Sequence, residues 1–215
     1  MKPYDIQKIL ELMEKEARKR NAPVFRKSKI LKGNPFQIFV FAFLSSRTKD
    51  EKTLEICERL FKKVKNFEDI LKINKKELEN LIYGVGFYKQ KAKNLKIVAN
   101  QIVKKYGGRI PDNLEELTKL KGVGRKIAKV ILNEVFKKET IAVDVHVHRI
   151  SNRLGIIKTK TIRETDKVLD EIVPRKLKKR YNKIFVAFGQ TVCKPKKPLC
   201  NECPLNEICP KIRVE

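Results

Sequence analysis

Apolar residues recur every three to four positions along most of this chain, and they almost never alternate with the period of two that marks a half-buried strand. Residues 5–19 put Ile6, Ile9, Leu10, Met13 and Ala17 on one stripe, the inward face of an amphipathic helix. Asn34 and Pro35 supply a cap and a first position for an apolar helix running to about Leu44. Three later segments open with an N-cap residue followed three positions on by glutamate: Asn74 with Glu77, Asp112 with Glu115, and Thr161 with Glu164. The segment 90–106 aligns Ala92, Leu95, Ala99, Ile102 and Tyr106. Cys57 lies on a stripe with Leu54, Leu60, Phe61 and Val64 and reads as a small buried hydrophobe. Pro111 and Pro174 mark loops, while Pro195, Pro198, Pro204 and Pro210 break the last segment into turns. The pattern predicts an all-α protein of roughly ten helices.

With 215 residues the chain can bury a full core, as one domain or two small ones, and no low-complexity linker separates them. The longest purely apolar run, Ile38 to Leu44, is far too short to span a bilayer, so no membrane role is expected. The opening MKPYDIQKIL lacks the apolar core of a secretory signal, which points to the reducing cytoplasm. Charge changes the picture more. The 51 Lys and Arg against 25 Asp and Glu give a formal +26, and such an excess suits a polyanionic partner, most simply nucleic acid.

Candidate chemistry concentrates in the second half. Cys193, Cys200, Cys203 and Cys209 are spaced C-x6-C-x2-C-x5-C. Four thiolates in so short a stretch can hold an iron–sulfur cluster or a structural zinc ion, and a reducing compartment disfavours the alternative of two disulfides. Gly84-Val85-Gly86 and Gly122-Val123-Gly124 each follow one helical pattern and precede a basic one. Such tight connections let the backbone N–H groups that start the next helix face a phosphate. Lys126 falls in the first turn of the helix after Gly124, where the positive dipole end disfavours an ammonium. Arg125, Lys121 and Lys129 add like charge nearby. A lysine must be neutral to act as a nucleophile, and that setting favours it. The plainer reading of Lys126 is a lysine that grips phosphate. Asp144 reads as the N-cap of a helix beginning near Val145. His146 and His148 are two apart, share no helical face, and read as packing or hydrogen-bonding residues.

The run Leu117 to Ala128, with Lys121-Gly122-Val123-Gly124-Arg125-Lys126 at its centre, resembles the helix-hairpin-helix motif of DNA repair glycosylases. Ile141-Ala142-Val143-Asp144-Val145-His146 resembles the segment that follows it in that family. With the cysteine tail, the resemblance is to the endonuclease III family of helix-hairpin-helix DNA glycosylases with an iron–sulfur cluster, and it extends from about Asn34 to Cys209.

That resemblance implies two helical domains. Residues 26–138 would form a six-helix domain holding the hairpin, and residues 1–25 with 139–215 a discontinuous one holding a 4Fe-4S cluster on the four cysteines. The two catalytic side chains would face each other across a cleft between them. The implied function is a bifunctional DNA glycosylase and abasic-site lyase of base excision repair, acting on double-stranded DNA with a damaged base or abasic site. Oxidised pyrimidines are the expected lesions. Lys126 would attack the sugar C1′ and form a Schiff base while Asp144 assists departure of the base; β-elimination would then cut the strand 3′ to the lesion. His146 matches a family histidine, which implies a supporting role near the sugar. Gly122, Gly124 and Arg125 would bind phosphate.

Arg47 stands where the family usually has the glutamine that fills the gap left by a flipped nucleotide, and Phe87 where it commonly has a leucine wedge. Arginine offers donors only, which alters readout of the opposite base. The loop Lys194-Pro195-Lys196-Lys197 would carry three lysines to phosphates. The family also implies a monomer, cytoplasmic and nucleoid-associated in a prokaryote. Two other readings are a monofunctional mismatch glycosylase, which would want a catalytic glutamate where Phe41 stands, and a non-catalytic DNA-binding protein with hairpin and metal modules.

Overall fold

The structure, a computed structural model, describes residues 5–26 and 34–214. Among these are eleven α-helices, two short 3₁₀ turns and no strand, as an all-α pattern requires. The chain divides into two compact units, Lys27–Lys137 and the pair Met1–Arg26 with Lys138–Glu215. The expected boundary near residue 26 abuts residues 27–33, which lie outside the described residues, as do the first four of the opening segment.

The continuous unit is built around α2 (Pro35–Leu44), eight of whose ten residues are buried, which makes it the central helix rather than an amphipathic surface one. Its start is the predicted one: the Asn34 side chain accepts the Gln37 N–H at 3.0 Å and Pro35 occupies the first position. Phe36 and Phe39 meet Phe67 edge-on at 5.0 and 5.4 Å, a favoured aromatic geometry. Around it lie α3 (Asp50–Lys63), α4 (Phe67–Lys72), α5 (Lys75–Leu81), α6 (Tyr88–Tyr106), α7 (Leu114–Lys119) and α8 (Arg125–Glu134). That makes seven helices among the described residues, one more than the resemblance implies. Cys57 is fully buried and its thiol is pushed up to about 12 by burial, with the nearby Glu58 carboxylate adding to it, as suits a core residue.

One cap falls elsewhere than predicted. Asn113, not Asp112, opens α7, accepting the Glu116 N–H at 2.9 Å. Asn113 and Glu116 have the same spacing as Asp112 and Glu115, and long-range contacts decide between them. In the observed register the Glu116 carboxylate meets Lys105, Lys119 and the Tyr106 hydroxyl, which hold it well below the usual range, at about 2.

The discontinuous unit contains α1 (Ile6–Lys19), α9 (Val145–Arg153), α10 (Ile162–Ile172), α11 (Arg175–Thr191) and the cysteine loop. Ile9, Leu10, Met13 and Ala17 of α1 are buried, the stripe its periodicity predicts. The core of α11 is Tyr181 stacked on Phe185 at 4.1 Å, with the Tyr181 hydroxyl 3.1 Å from the Ser151 Oγ on α9.

Gly189 sets how closely α9 approaches α11. A Cβ there would stand 2.3 Å from the His146 Nδ1 and 3.0 Å from an Arg149 guanidinium nitrogen. Gly189→Ala therefore gains about 1 kcal/mol in helix propensity but loses about 1–3 kcal/mol to overpacking. The melting temperature should fall by up to about 8 °C. A rise on calorimetry would show that α9 yields freely at this contact.

Candidate active site and metal centre

The hairpin between α7 and α8 is short because Gly122 adopts φ +81°, a left-handed conformation that suits glycine. A Cβ on Gly122 would come within 3.2 Å of both the Phe43 ring on α2 and the Asn94 amide on α6. The Lys121 N–H donates to the Gln101 Oε1 at 2.9 Å, which fixes the hairpin to α6. Gly124 differs: it is the N-cap of α8 in extended conformation, and a Cβ there would meet nothing within 4 Å. A ligand can thus approach the first turn of α8, whose N–H groups helix geometry leaves without intrahelical acceptors. Arg125 and Lys126 stand exposed on that turn, and Lys129, one turn further, is buried.

Asp144 caps α9. Its Oδ1 accepts the His146 N–H at 2.9 Å and the Val147 N–H at 3.0 Å, and the residue is 9% exposed. The helix it caps is held by side chains that no local pattern announces. The Asn182 amide donates to the Ala142 carbonyl just before it. A polar cluster of His148, Asn152, Thr159 and Thr165 ties α9 to α10, with Thr159 and Thr165 hydroxyls 2.6 Å apart and the His148 Nδ1 2.7 Å from Thr165. Burial lowers the His148 pKa, which suits a neutral ring in that cluster. His146 lies instead beside Arg149, whose guanidinium is 3.2 Å from the ring and donates to the Cys193 carbonyl at 2.8 Å. The two histidines thus make separate contacts.

Two turns of the continuous unit carry the remaining candidates. Arg47 and Phe87 both sit in the left-handed region, at φ +54° and +58°, and both are exposed, Phe87 by 63%. The Arg47 guanidinium lies over the Phe87 ring at 5.2 Å, within cation–π range. Ordinary core packing for Phe87 is therefore excluded by its exposure. Phe41, by contrast, is buried in α2.

The four cysteines line one cavity with Phe188, Leu199, Ile150 and Arg153. Three of the sulfurs receive N–H groups: Cys203 from Leu205 at 3.4 Å, Cys209 from Lys211 at 3.4 Å, and Cys193 from the Arg153 guanidinium at 3.5 Å. Arg153 also donates to the Lys194 and Pro195 carbonyls, so it shapes the loop whose exposed Lys194, Lys196 and Lys197 face solvent. Burial pushes Cys203 up to about 11 and raises Cys209. Donors aimed at sulfur are what a thiolate cluster uses. The four-thiol donor set fits a 4Fe-4S cluster.

A helix-hairpin-helix unit together with a four-thiolate loop defines a class of base excision DNA repair protein. Residues 40–175 match the family model of the HhH-GPD superfamily base excision DNA repair proteins. Residues 193–209 match that of the iron–sulfur binding domain of endonuclease III. Endonuclease III of Thermotoga maritima is 45% identical over 176 residues, 82% of this chain and 83% of that one. Endonuclease III of Bacillus subtilis is 38% identical over 181 residues, 84% and 83% of the two chains. A solved non-covalent endonuclease III–DNA complex superposes with a TM-score of 0.86 at 31% identity, over 98% of this chain and 96% of the other. The chain belongs to the endonuclease III family, and the protein carries a 4Fe-4S cluster.

The sequence singled out the cysteines by their spacing, and Lys126 and Asp144 through the family resemblance. Lys91, Arg149, Arg153 and Asn182 escaped it. Lys91 alone left a trace, a lysine in phase with Leu95, Val98 and Ile102 on the buried face of α6.

Proposed function

We propose that this protein acts on double-stranded DNA carrying an oxidised pyrimidine, with Lys126 as the nucleophile and Asp144 as the carboxylate that stabilises the sugar as its base departs. The chain is a bifunctional DNA glycosylase and abasic-site lyase of base excision repair. The observation that carries the assignment of Lys126 is its exposure on the first turn of α8, directly after the open Gly124 N-cap. The amine attacks C1′ as the glycosidic bond breaks with its electron pair leaving on the base; the added nitrogen then gives up a proton, the C1′–O4′ bond opens with O4′ taking a proton, and the resulting iminium acidifies the C2′ protons. Loss of one such proton expels the 3′ phosphate. Gly122, Gly124 and Arg125 would hold a phosphate at the hairpin, and Lys194, Lys196 and Lys197 others at the loop. Arg47 and Phe87 would fill the gap in the duplex. The four cysteines would ligate the cluster, which when bound fixes the fold of the 193–209 loop. The protein would work as a monomer in the cytoplasm, on the nucleoid if the cell is prokaryotic; no helix of the described residues is long and apolar enough to cross a membrane.

A buried Phe41 speaks against the mismatch-glycosylase alternative, which wants a carboxylate there. A labelled duplex with a single thymine glycol tests the main reading beside the same duplex unmodified. The expected product is a strand cut 3′ to the lesion and ending in an unsaturated aldehyde. Release of the base without strand cleavage would make the enzyme monofunctional, and no release would remove oxidised pyrimidines as its substrate.

A further inference from the structure

The Lys91 side chain is 8% exposed, although it is a lysine in the first turn of a helix that begins beside an exposed turn. Its amine donates to two backbone carbonyls, Leu44 at 2.7 Å and Ser46. Leu44 ends α2, so the cation sits against the negative end of that helix dipole. Ser46 immediately precedes Arg47. The Lys91 backbone N–H donates to the Phe87 carbonyl at 2.9 Å, the first intrahelical bond of α6, so its side chain ties the start of that helix, beside Phe87, to the Leu44 and Ser46 carbonyls.

Two further contacts seal the junction. The Gly86 N–H donates to the Thr48 Oγ1 at 3.0 Å, and a Cβ on Gly86 would lie 2.6 Å from the Arg47 carbonyl oxygen. Backbone meets backbone there with no room for a side chain. Two non-glycine residues in the left-handed region, each strained by about 1 kcal/mol or more, persist only where surroundings hold them. Burial also pulls Lys91 down to about 8, so the site keeps an amine in a place that disfavours its charge.

We propose that Lys91 is a positioning residue for base excision: it ties the 44–48 turn to the 84–88 turn, so that Arg47 and Phe87 enter the duplex as one stacked unit. This rests on the reading that those two side chains fill the gap left by the flipped nucleotide. Lys91 would touch neither DNA nor the reacting atoms, and its effect would pass entirely through them.

The test measures two single-turnover reactions of the cluster-loaded protein. One is base excision from a duplex with a thymine glycol. The other is β-elimination at an abasic site in a single strand, where there is no opposite base to face and no gap to fill. Lys91→Met should slow the first about tenfold or more and the second no more than about twofold. Lys91→Gln, which keeps one neutral donor, should lose less and keeps the test open if the methionine variant folds poorly on circular dichroism. In an Arg47→Ala/Phe87→Ala background, Lys91→Met should add almost nothing, since the side chains it positions are gone. Equal slowing of both reactions, or undiminished slowing in that background, overturns the proposal and leaves Lys91 a plain structural residue. A distinct failure is an Arg47→Ala/Phe87→Ala protein as fast as wild type on the duplex. That removes the gap-filling reading itself, and the proposal with it.

Discussion

Borohydride should fix the wild-type protein covalently to a duplex containing one abasic site and leave Lys126→Gln unattached. The expectation follows from the electronic demands of the step. An amine can condense with the opened sugar and give an iminium that borohydride reduces, whereas the glutamine amide cannot. Strand cleavage by β-elimination should fall with it, by about three orders of magnitude or more, because the variant loses the bond that acidifies the sugar. Lys126 is exposed, so folding should barely change and the melting temperature should move by no more than about 2 °C. DNA binding should survive in large part, since Gly122, Gly124 and the first turn of α8 are intact. Glutamine at this site removes the nucleophile. An adduct of undiminished yield in Lys126→Gln would transfer the role to another amine and sink the assignment.

The helices were legible because their signals are local. Asn34, Asn74 and Thr161 each cap the helix that their spacing announces, and Asp144 caps α9 as expected. These bonds join residues two or three apart, and sequence records that distance directly. Asp112 shows where local reading fails: two equivalent cap pairs overlap by one residue, and Glu116, pulled by Lys105, Lys119 and Tyr106, selects the second. Phe87 sits at φ +58° and is 63% exposed. The supports of the candidate site were barely legible, Lys91 alone showing by its phase with the buried face of α6. Arg153 reaches carbonyls 41 and 42 residues away, Asn182 one 40 residues away, and Lys91 one 47 residues away. A carbonyl has no identity in the sequence, so no motif can point to it. Residues that perform chemistry leave patterns; residues that hold them in place mostly leave none.

Asp144→Asn should separate the two roles its side chain combines. Asparagine places an oxygen where the Asp144 Oδ1 now accepts the His146 and Val147 N–H groups, and it caps helices about as well as aspartate. The substitution removes the negative charge and keeps the cap, apart from about 0.3–1 kcal/mol of favourable interaction with the helix dipole. Excision of a damaged base should then slow by about 10²–10³, the usual loss when one preorganised group stops stabilising charge that develops in the transition state. Cleavage at a ready-made abasic site should suffer much less, about tenfold at most, because there the base has already gone and the carboxylate has no departing group to assist. Asp144→Ala should match the asparagine variant in excision and in addition lose about 1 kcal/mol of cap, lowering the melting temperature by about 2–4 °C. The opposite ranking decides the question as sharply. If asparagine excises bases at the wild-type rate while alanine fails at both excision and folding, Asp144 is a helix cap alone, and the charge opposing the sugar cation must come from another residue.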